Sequence, residues 1–344
     1  MNRITLADAT PRRLVFYLAM EEYVAGHREA LLPAGSEGAF FLWRVAPTVI
    51  FGRHQVLETE VNLPYCRENG VQWYRRKSGG GCVYADPGNI MLSAIYPDTD
   101  VTATFQRYLS RLAGALQQAG VPAEATGRND ILVNGRKVSG NAFFRLPNGS
   151  IVHGTMLYDT DFEALQQAIT PSQAKLGSKG VASVRQHVTN LRDLLPQGPL
   201  QQIEAFEDYL YEAFCAGEDE IVLNDKQIAE IEEIESGYLE PDFISGKSHG
   251  HPVFRQGKAE GAGEIGAEFD LENGRIVRCR LQGDFFPVSA QVNEQLSSRL
   301  HGVPFTREGV AAALEGISLD AWILHLSNEA FLNIIFNTET TENQ

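Results

Sequence analysis

The sequence is poor in the features that place a chain at once among disulfide scaffolds, zinc proteins or membrane proteins. Its four cysteines form no CxxC pair and have no histidine partners at metal-ligand spacing, so neither a disulfide framework nor a zinc site is expected. No apolar run is long enough to span a bilayer, and no apolar stretch near the N-terminus precedes a cleavage site. We therefore expect a soluble, cytoplasmic protein with no membrane partner.

Positive charge is also scarce. Lys and Arg total 29 against 44 for Asp and Glu, a formal net charge of −15, whereas broad nucleic-acid binding needs a basic face. We therefore expect no nucleic-acid partner. The 344 residues show no low-complexity tract or internal repeat and suffice for one large domain and a smaller one. Against this acidic background the run Arg75, Arg76 and Lys77 stands out.

The first two thirds of the chain is dense in strand signals. Aromatic and β-branched runs occur at residues 39–52 and 89–96, and Asn134-Gly135 is a strong two-residue hairpin signal. Between the strands, apolar residues recur at helical spacing from Thr104 to Gly120 and again around residues 203–214. These patterns predict a large mixed or antiparallel sheet with helices packed on its face.

The amino-acid composition changes toward the C-terminus. Residues 236–263 are rich in Gly, Ser, His and Pro, which is typical of a linker. A hairpin turning at Asn273-Gly274 and helical stretches near residues 289–300, 306–315 and 318–336 follow. The expected fold class is therefore α+β, with a large N-terminal domain over residues 1–245 and a small α+β domain over residues 246–344.

The stretch RRKSGGGCVYADPGN, residues 75–89, places three successive glycines after three cationic side chains. Glycine contributes no packing, so a run of it suggests a close approach to the backbone. Successive N–H groups of Gly79, Gly80 and Gly81 can form a nest for an anion. The spacing matches neither a Walker A loop nor a dinucleotide-binding loop. A tight turn with a solvated basic flank explains the run equally well.

A second group of candidates lies in GRNDILVNGRKVSGNAFFR, residues 127–145, and in the following IVHGTMLYD. Lys137 has glycines nearby, including Gly154, and could neutralise phosphate or carboxylate charge; alternatively it is an exposed strand lysine. His153 is either a ligand contact or a structural histidine. Asp130 either binds Mg²⁺ or caps a turn. The residues alone leave each pair of readings open.

Four segments in order, RRKSGGGCVYADPGN, GRNDILVNGRKVSGNA, HGTMLYD and LGSKGVASVRQHVTNL, resemble the lipoate-protein ligases, within the superfamily of lipoate and biotin protein ligases. FYLAMEE and LWRVAPTVIFGRHQ near the start, and LQGDFFP and LSSRLHGVPFTREGVAAAL near the end, match the same family. The resemblance covers nearly the whole chain. It implies the biotin/lipoate ligase-like fold for the N-terminal domain and an accessory role for the small C-terminal one.

The resemblance also implies roles for individual residues. In this family the second arginine of the RRxSGGG motif and the backbone after it bind ATP, and the lysine of GRKVSG contacts both the α-phosphate of ATP and the lipoate carboxylate. We expect Lys137 to be the catalytic residue and Asp130 to hold Mg²⁺. The expected ATP- and lipoate-binding residues are Arg76, Gly79, Gly80, Gly81, Cys82, Val83, Tyr84, Asn89, Lys137, His153 and Gly154.

The family reaction has two steps. Lipoate and ATP, with Mg²⁺, give lipoyl-AMP and pyrophosphate, and a lysine of an apo acceptor then takes the lipoyl group. The implied acceptors are lipoyl domains of 2-oxoacid dehydrogenases, the glycine-cleavage H protein, or both. Residues 179–191 resemble the family's loop over the intermediate. Trp43 and Val49 are candidates for an apolar slot around the lipoate tail, although both also fit plain core.

Three other functions have to be distinguished from ATP-dependent lipoate ligation. Octanoyl or lipoyl transferases of the same fold form a thioester on a cysteine shortly before the lysine strand, but residues 124–131, EATGRNDI, contain none. Cys82 stands where relatives often have Ala, and we expect it to serve by its backbone alone. The loop of a biotin ligase is missing. A lipoate-binding protein without catalysis remains an alternative, against which Lys137 argues.

Overall fold

A computed structural model describes residues 1–97, 100–126, 129–147, 149–169, 187–245 and 253–336. Two compact units can be distinguished. The first comprises residues 1–51, 57–76 and 82–244, and the second comprises residues 52–56, 77–81 and 245–344. Two short segments of the N-terminal part therefore cluster with the C-terminal unit, and the second of them carries the glycine triplet.

A mixed eight-stranded sheet forms the centre of the first unit, in the order β11-β1-β2-β6-β10-β9-β8-β7. Strands β11, β1 and β2 are parallel, and the pairs from β2 through β7 are antiparallel. The strands of the first unit are β1 (Asn2–Leu6), β2 (Ala39–Trp43), β3 (Thr48–Phe51), β4 (Gln72–Arg75), β5 (Val83–Ala85), β6 (Asn89–Tyr96), β7 (Ala123–Ala125), β8 (Asp130–Val133), β9 (Arg136–Leu146), β10 (Gly149–Leu157) and β11 (Glu220–Leu223).

Local sequence accounts for the β8–β9 hairpin. Asn134 and Gly135 have φ angles of 51° and 75°, which is the backbone that a two-residue type I′ turn requires. Asn tolerates this left-handed conformation and Gly adopts it without a steric penalty. The hairpin predicted from the Asn-Gly pair is therefore confirmed.

Helices cover both faces of this sheet. The described helices of the first unit are α1 (Leu14–Gly26), α2 (Arg28–Leu31), α3 (Leu57–Glu60), α4 (Leu63–Glu68), α5 (Val101–Gln118), α6 (Phe162–Ala168), α7 (Ile203–Cys215), α8 (Asp225–Leu239) and α9 (Pro241–Ser245). Helices α5 and α7 pack on one face, where Phe40 stacks on Phe214. Helix α1 packs on the other face, against Phe41, Trp43 and Met91, and α8 packs on α1.

A second, three-stranded sheet of the first unit has the order β4-β3-β5. Strand β3 is parallel to β4 and antiparallel to β5, so the chain from Arg76 to Cys82 connects the two outer strands of this sheet. Val49, Phe51 and Tyr84 pack in a small apolar core with residues of α3, α4 and α6. This sheet therefore fixes both ends of the glycine-rich segment.

The second unit contains an antiparallel sheet in the order β12-β13-β14 with helices on one face. Its elements are β12 (Val253–Ala259), β13 (Gly263–Glu272), β14 (Arg275–Gly283), α10 (Val292–Leu300), α11 (Arg307–Ala313) and α12 (Asn328–Phe336). The hairpin predicted at Asn273-Gly274 is present, with φ angles of 50° and 72°. The small sheet-and-helix unit confirms the α+β fold class.

Two sequence-based boundaries were wrong. Residues 236–263, expected to be a linker, include the end of α8, α9 and β12, while residues 246–252 lie outside the described part. Helix α8 continues past Gly237 because Glu235 and Tyr238 are buried on the face that packs against α1. The stretch 318–336 is a short 3₁₀ turn followed by α12, and it is interrupted at His325, where φ is 63°. Among the described helices, none has both the length and the hydrophobicity needed to cross a membrane.

Candidate active site

Lys137 lies on β9 at an irregularity in the β8–β9 ladder. Leu132 pairs with Lys137 and Ile131 pairs with Ser139, so Val138 is an extra residue on β9, which is a β-bulge. Residues paired across antiparallel strands point to the same face, and neighbours along a strand alternate. Lys137 and Ser139 therefore point to opposite faces, although regular alternation would place them together.

The bulge brings Lys137 to the face that carries Asp130. Asp130 pairs with Gly140, the residue after Ser139, and the Lys137 Nζ lies 2.9 Å from the Asp130 Oδ1. The two side chains are 32% and 30% exposed, so the pair lies at a partly exposed position. The sequence-predicted catalytic lysine and the predicted metal-binding carboxylate thus form one ion pair.

The same face of the eight-stranded sheet carries several other candidates. The pairing Gly140–Thr155–Met91–Trp43 crosses four adjacent strands, and the next row on this face includes His153. Thr155, Met91 and Trp43 are buried. A row of buried side chains therefore runs across the sheet from the β-strand of Lys137 toward Trp43, on the side covered by α1.

A chain of hydrogen bonds lies at the Trp43 end of this row. The Nδ1 of His153 lies 2.8 Å from the Glu21 Oε2, and Ser93 Oγ donates to the Glu21 Oε1 at 2.5 Å. The Trp43 Nε1–H donates to Ser93 Oγ at 2.9 Å, and the Tyr17 ring stacks on the indole. Glu21 is only 2% exposed, so its carboxylate depends on these protein donors.

Gly154 lies on the opposite face of the sheet. It pairs with Asn141, and a methyl group on Gly154 would lie 1.9 Å from the Asn141 Oδ1. The Asn141 Nδ2 donates to the carbonyl of Asn129 at 3.0 Å and to Ser139 Oγ at 3.1 Å. Gly154 therefore makes room for the amide that ties Asn129, and with it the start of β8, to β9.

Asn89, at the start of β6, is fully buried on the same face as Met91. Its Nδ2 donates to the carbonyl of Tyr84 at 3.2 Å, and its Oδ1 has no hydrogen-bond partner among the described residues. Buried amide oxygens are usually satisfied, so this one suits a ligand donor or a cation. The preceding turn is held by Asp86, whose pKa is raised because burial disfavours the charged carboxylate.

The two arginines before the glycines are both buried, at 5% exposure each. The Arg75 Nε donates to the carbonyls of Phe243 and Ile244, at 2.8 and 3.1 Å. The Arg76 Nη1 donates to the carbonyl of Ile50 at 3.3 Å, and the Arg76 N–H donates to that of Phe51 at 3.0 Å. Arg75 thus has a structural use, and the predicted ATP ligand Arg76 is anchored to β3.

The glycine triplet packs tightly within the second unit. A methyl group on Gly79 would lie 2.2 Å from the carbonyl oxygen of Phe285, and the Gly80 N–H donates to that same oxygen at 2.9 Å. Gly80 has a φ of 89°, which only glycine adopts easily. Packing therefore requires glycine at position 79 and turn geometry favours it at position 80, and the Gly80 N–H bonds to protein in this conformation.

The residues after the triplet alternate between two apolar cores. Cys82 and Tyr84 pack toward the small core of the three-stranded sheet, and Val83 packs against the core on the α1 side of the large sheet. Burial raises the pKa of the Tyr84 phenol. The Cys82 and Val83 side chains are partly buried against these cores, and Tyr84 is buried.

The segment expected to cover the intermediate is described only from His187 onward; residues 170–186 lie outside the described part. Val188 forms an isolated parallel bridge with Lys137, and the Thr189 N–H donates to the Lys137 carbonyl at 3.0 Å. The Leu191 N–H donates to the Leu157 carbonyl at 2.7 Å. The C-terminal end of this segment therefore lies directly beside the catalytic candidate.

No group of three or more metal-ligating side chains occurs among the described residues. A nucleotide-bound Mg²⁺ needs only one or two protein carboxylates because phosphates and waters complete its shell. The carboxylate of Asp130, whose side chain is 30% exposed, is a hard oxygen donor of that kind. It therefore fits a Mg²⁺ ion bound with ATP.

A polar cavity of about 550 Å³ lies in the second unit between β14 and α10. None of the sequence-predicted site residues lines it. Its side chains cap the edge of β14: Ser297 Oγ accepts from the Cys279 N–H at 3.1 Å, and the Asn293 Oδ1 accepts from the Leu281 N–H at 2.7 Å. These bonds give the polar lining a structural use.

Sequence reasoning missed Glu21 and Ser93. A signal was present for Glu21, because Glu21-Glu22 interrupts an otherwise apolar helix, LVFYLAMEEYVAG, and an acid on a buried helix face needs a partner. Ser93 sits within a strand that is buried throughout. Gly140 was expected near Lys137, as a glycine that leaves room for a ligand.

Two family models match the chain. The lipoyl protein ligase A/B catalytic domain matches residues 14–215, and the bacterial lipoate protein ligase C-terminus matches residues 252–335. Lipoate-protein ligase LplJ of Bacillus subtilis is 33% identical, covering 93% of this chain and 96% of its own length. Lipoate–protein ligase 1 of Staphylococcus aureus is 36% identical, covering 79% and 81%.

Solved structures share the fold. LipL1 of P. falciparum, in complex with lipoate, superposes with a TM-score of 0.73 at 20% identity, covering 97% of each chain. A bipartite ligase of Thermoplasma acidophilum, studied with its E2 lipoyl domain, gives a TM-score of 0.60 at 26% identity over 73% of this chain and 99% of that one. A lipoate-protein ligase A bound with ATP gives 0.58 at 24% over 71% and 98%.

Proposed function

The chain belongs to the lipoate-protein ligase family, and on that premise we propose that it activates lipoate with ATP and transfers the lipoyl group to a lysine of an acceptor protein. The observation that carries this proposal is the position of Lys137. Its ammonium group lies beside Asp130, at one end of the buried row that crosses the sheet toward Trp43. A ligand with its carboxylate at Lys137 and its apolar tail along this row would have the shape and polarity of lipoate.

In the first step a lipoate carboxylate oxygen attacks the α-phosphorus of ATP, and the bond to the β-phosphate breaks as pyrophosphate leaves. Two anions approach each other, so the rate depends on cations and N–H donors that offset their repulsion. Lys137 would contact both groups. Arg76, Gly79, Gly80, Gly81 and the backbone of residues 82–84 would hold the phosphates, for which the Gly80 N–H would exchange its bond to Phe285.

Mg²⁺ would be held by Asp130, with phosphate oxygens of ATP and waters completing its coordination shell. The ion supplies charge neutralisation at the phosphates of ATP. Asp130 would thus serve both Mg²⁺ and Lys137, with which it forms an ion pair. His153, on β10 in the neighbouring row, would contact the lipoate tail and is held by Glu21. Gly154 would act indirectly, through the packing of Asn141.

In the second step the acceptor lysine amine attacks the lipoyl carbonyl, AMP leaves, and the amine loses a proton. We propose apo lipoyl domains of 2-oxoacid dehydrogenases and the glycine-cleavage H protein as acceptors. Residues 1–245 would perform the chemistry and residues 246–344 would serve as an accessory domain. The requirement for ATP and four free cysteines favour the cytoplasm, where thiols stay reduced.

The thioester mechanism has no support here. The segment before β8 contains no cysteine, and Cys82 packs toward an apolar core. Burial raises the pKa of Cys66, Cys215 and Cys279, which lowers the fraction of reactive thiolate in each.

The test is incubation of the purified chain with ATP, Mg²⁺, lipoate and an apo lipoyl domain. Pyrophosphate release and a lipoyl mass increase on one acceptor lysine are expected, and both should be lost without ATP. Parallel reactions with octanoate and with apo H protein define the substrate range. Modification of the acceptor by a lipoyl thioester in the absence of ATP would contradict the proposal, as would no product with any acceptor.

A further inference from the structure

The bulge at Val138 creates a specific position for the Lys137 ammonium. Without the bulge, the Lys137 side chain would point to the same face of the sheet as Ser139, a residue that is fully buried. With it, Lys137, Gly140 and Asp130 share one face. The lysine side chain then folds over Gly140, toward the carboxylate of Asp130. The position depends on both residues: Asp130 supplies the charge, and Gly140 supplies the space.

The space at Gly140 is narrow. A methyl group there would lie 2.5 Å from the Lys137 Nζ and 2.6 Å from its Cε, well inside the van der Waals separation of about 3.5 Å. The Asp130 Oδ1 is 3.8 Å from the same point. The atoms that would collide are the end of a flexible side chain, and Gly140 has no positive φ. An alanine would therefore fit the backbone and displace the ammonium.

We propose that Gly140 is a positioning residue, which together with the Val138 bulge holds the Lys137 ammonium beside Asp130 at the point where adenylation requires it. The proposal rests on the proposed ligase function for its catalytic consequence. Its structural part, the position of the ammonium, stands apart from that function. A shift of about 1 Å in a catalytic group costs on the order of 10²-fold in rate, so relieving this clash by moving Lys137 has a measurable effect.

The experiment compares Gly140→Ala with Gly114→Ala in the full-length protein. Gly114 lies in α5, and beyond its chain neighbours and the helix backbone no atom of the described residues lies within 4 Å of its added methyl group, so it controls for the general effect of exchanging glycine for alanine. Three quantities are measured: the thermal unfolding midpoint, kcat and KM for lipoate-dependent pyrophosphate release, and the acetylation rate of Lys137 by acetic anhydride. The acetylation rate is followed by peptide mass spectrometry and normalised to the exposed Lys258.

For Gly140→Ala we expect a wild-type unfolding midpoint, a kcat lowered at least about tenfold, KM for ATP changed little, and severalfold faster acetylation of Lys137. Gly114→Ala should match wild type in kcat and acetylation. A folded Gly140→Ala protein with wild-type kcat and acetylation overturns the inference. If Gly140→Ala does not fold, the Asp130→Asn variant replaces it in the test. An unchanged acetylation rate of Lys137 in Asp130→Asn then overturns the inference. A wild-type protein without activity removes the proposed function instead, while the acetylation comparison still decides the position of the ammonium.

Discussion

The Nδ1 of His153 lies 2.8 Å from the Oε2 of Glu21, a residue 132 positions earlier in the chain. Both groups are buried, and the other carboxylate oxygen of Glu21 accepts from Ser93 Oγ. The pair joins α1 to the centre of the eight-stranded sheet, beside the buried row where we place the lipoate tail. It therefore serves the fold and the site together.

Glu21→Ala should destabilise the protein by about 3 kcal/mol, since it removes a buried carboxylate that is hydrogen-bonded to both His153 and Ser93. The free energy of unfolding from urea denaturation measures this. The matched control is Glu204→Ala, which breaks the exposed pair with Arg44 and should leave stability almost unchanged. Equal losses in the free energy of unfolding for the two substitutions would show that the Glu21 hydrogen bonds contribute no more to stability than an exposed ion pair.

Lys137→Ala should lower the rate of lipoate-dependent pyrophosphate release by about 10²-fold or more, because the group that offsets the charge of the two reacting anions is gone. Lys137 is about one third exposed, so its removal should leave the circular dichroism spectrum and unfolding midpoint intact. Lys258→Ala, at an exposed position of β12, is the control and should retain full activity. A fully active Lys137→Ala enzyme would remove the mechanistic assignment.

Cys82→Ser should retain most of the wild-type ligation rate, since the stretch after the glycines is expected to act by backbone donors while the side chain packs toward apolar core. The measurement is ligation of an apo lipoyl domain, with intact-mass analysis of the enzyme during turnover. An inactive but folded variant, together with a lipoyl thioester on the wild-type enzyme, would revive the transferase mechanism.

Gly79→Ala should destabilise the second unit by about 1–3 kcal/mol, as overpacking does. The added methyl group would lie 2.2 Å from the Phe285 carbonyl oxygen and 2.5 Å from the Pro287 Cδ, so backbone must move. Gly81→Ala is the control within the same triplet, because its methyl group meets only the Asp284 Oδ2, at 3.4 Å. Thermal unfolding separates the two, and a smaller loss for Gly79→Ala than for Gly81→Ala would refute the packing argument.

Most of the local structure could be predicted because its causes lie within a few residues. The left-handed φ angles of Asn134 and Gly135 follow from side chains that tolerate them. Helix α5 begins after Asp100, whose side chain accepts from the Ala103 N–H, and Gly120 lies beyond its end. The prediction of a linker over residues 236–263 was wrong because amino-acid composition does not show which residues are buried. Tyr238 is buried and stabilises the helix through contacts with residues that are distant in sequence.

The sequence by itself determined that the glycine run and Lys137 occur in this order and in loop and strand settings, and the resemblance of its motifs identified the family. Only the tertiary structure decided that Val138 bulges, that Lys137 consequently faces Asp130 across Gly140, that Glu21 meets His153, and that the glycine triplet packs on Phe285. Turns and caps depend on neighbours a few residues apart, whereas strand register and packing depend on residues from distant parts of the chain. A one-residue shift in register moves every side chain of a strand to the opposite face of the sheet, and no local sequence pattern determines the register.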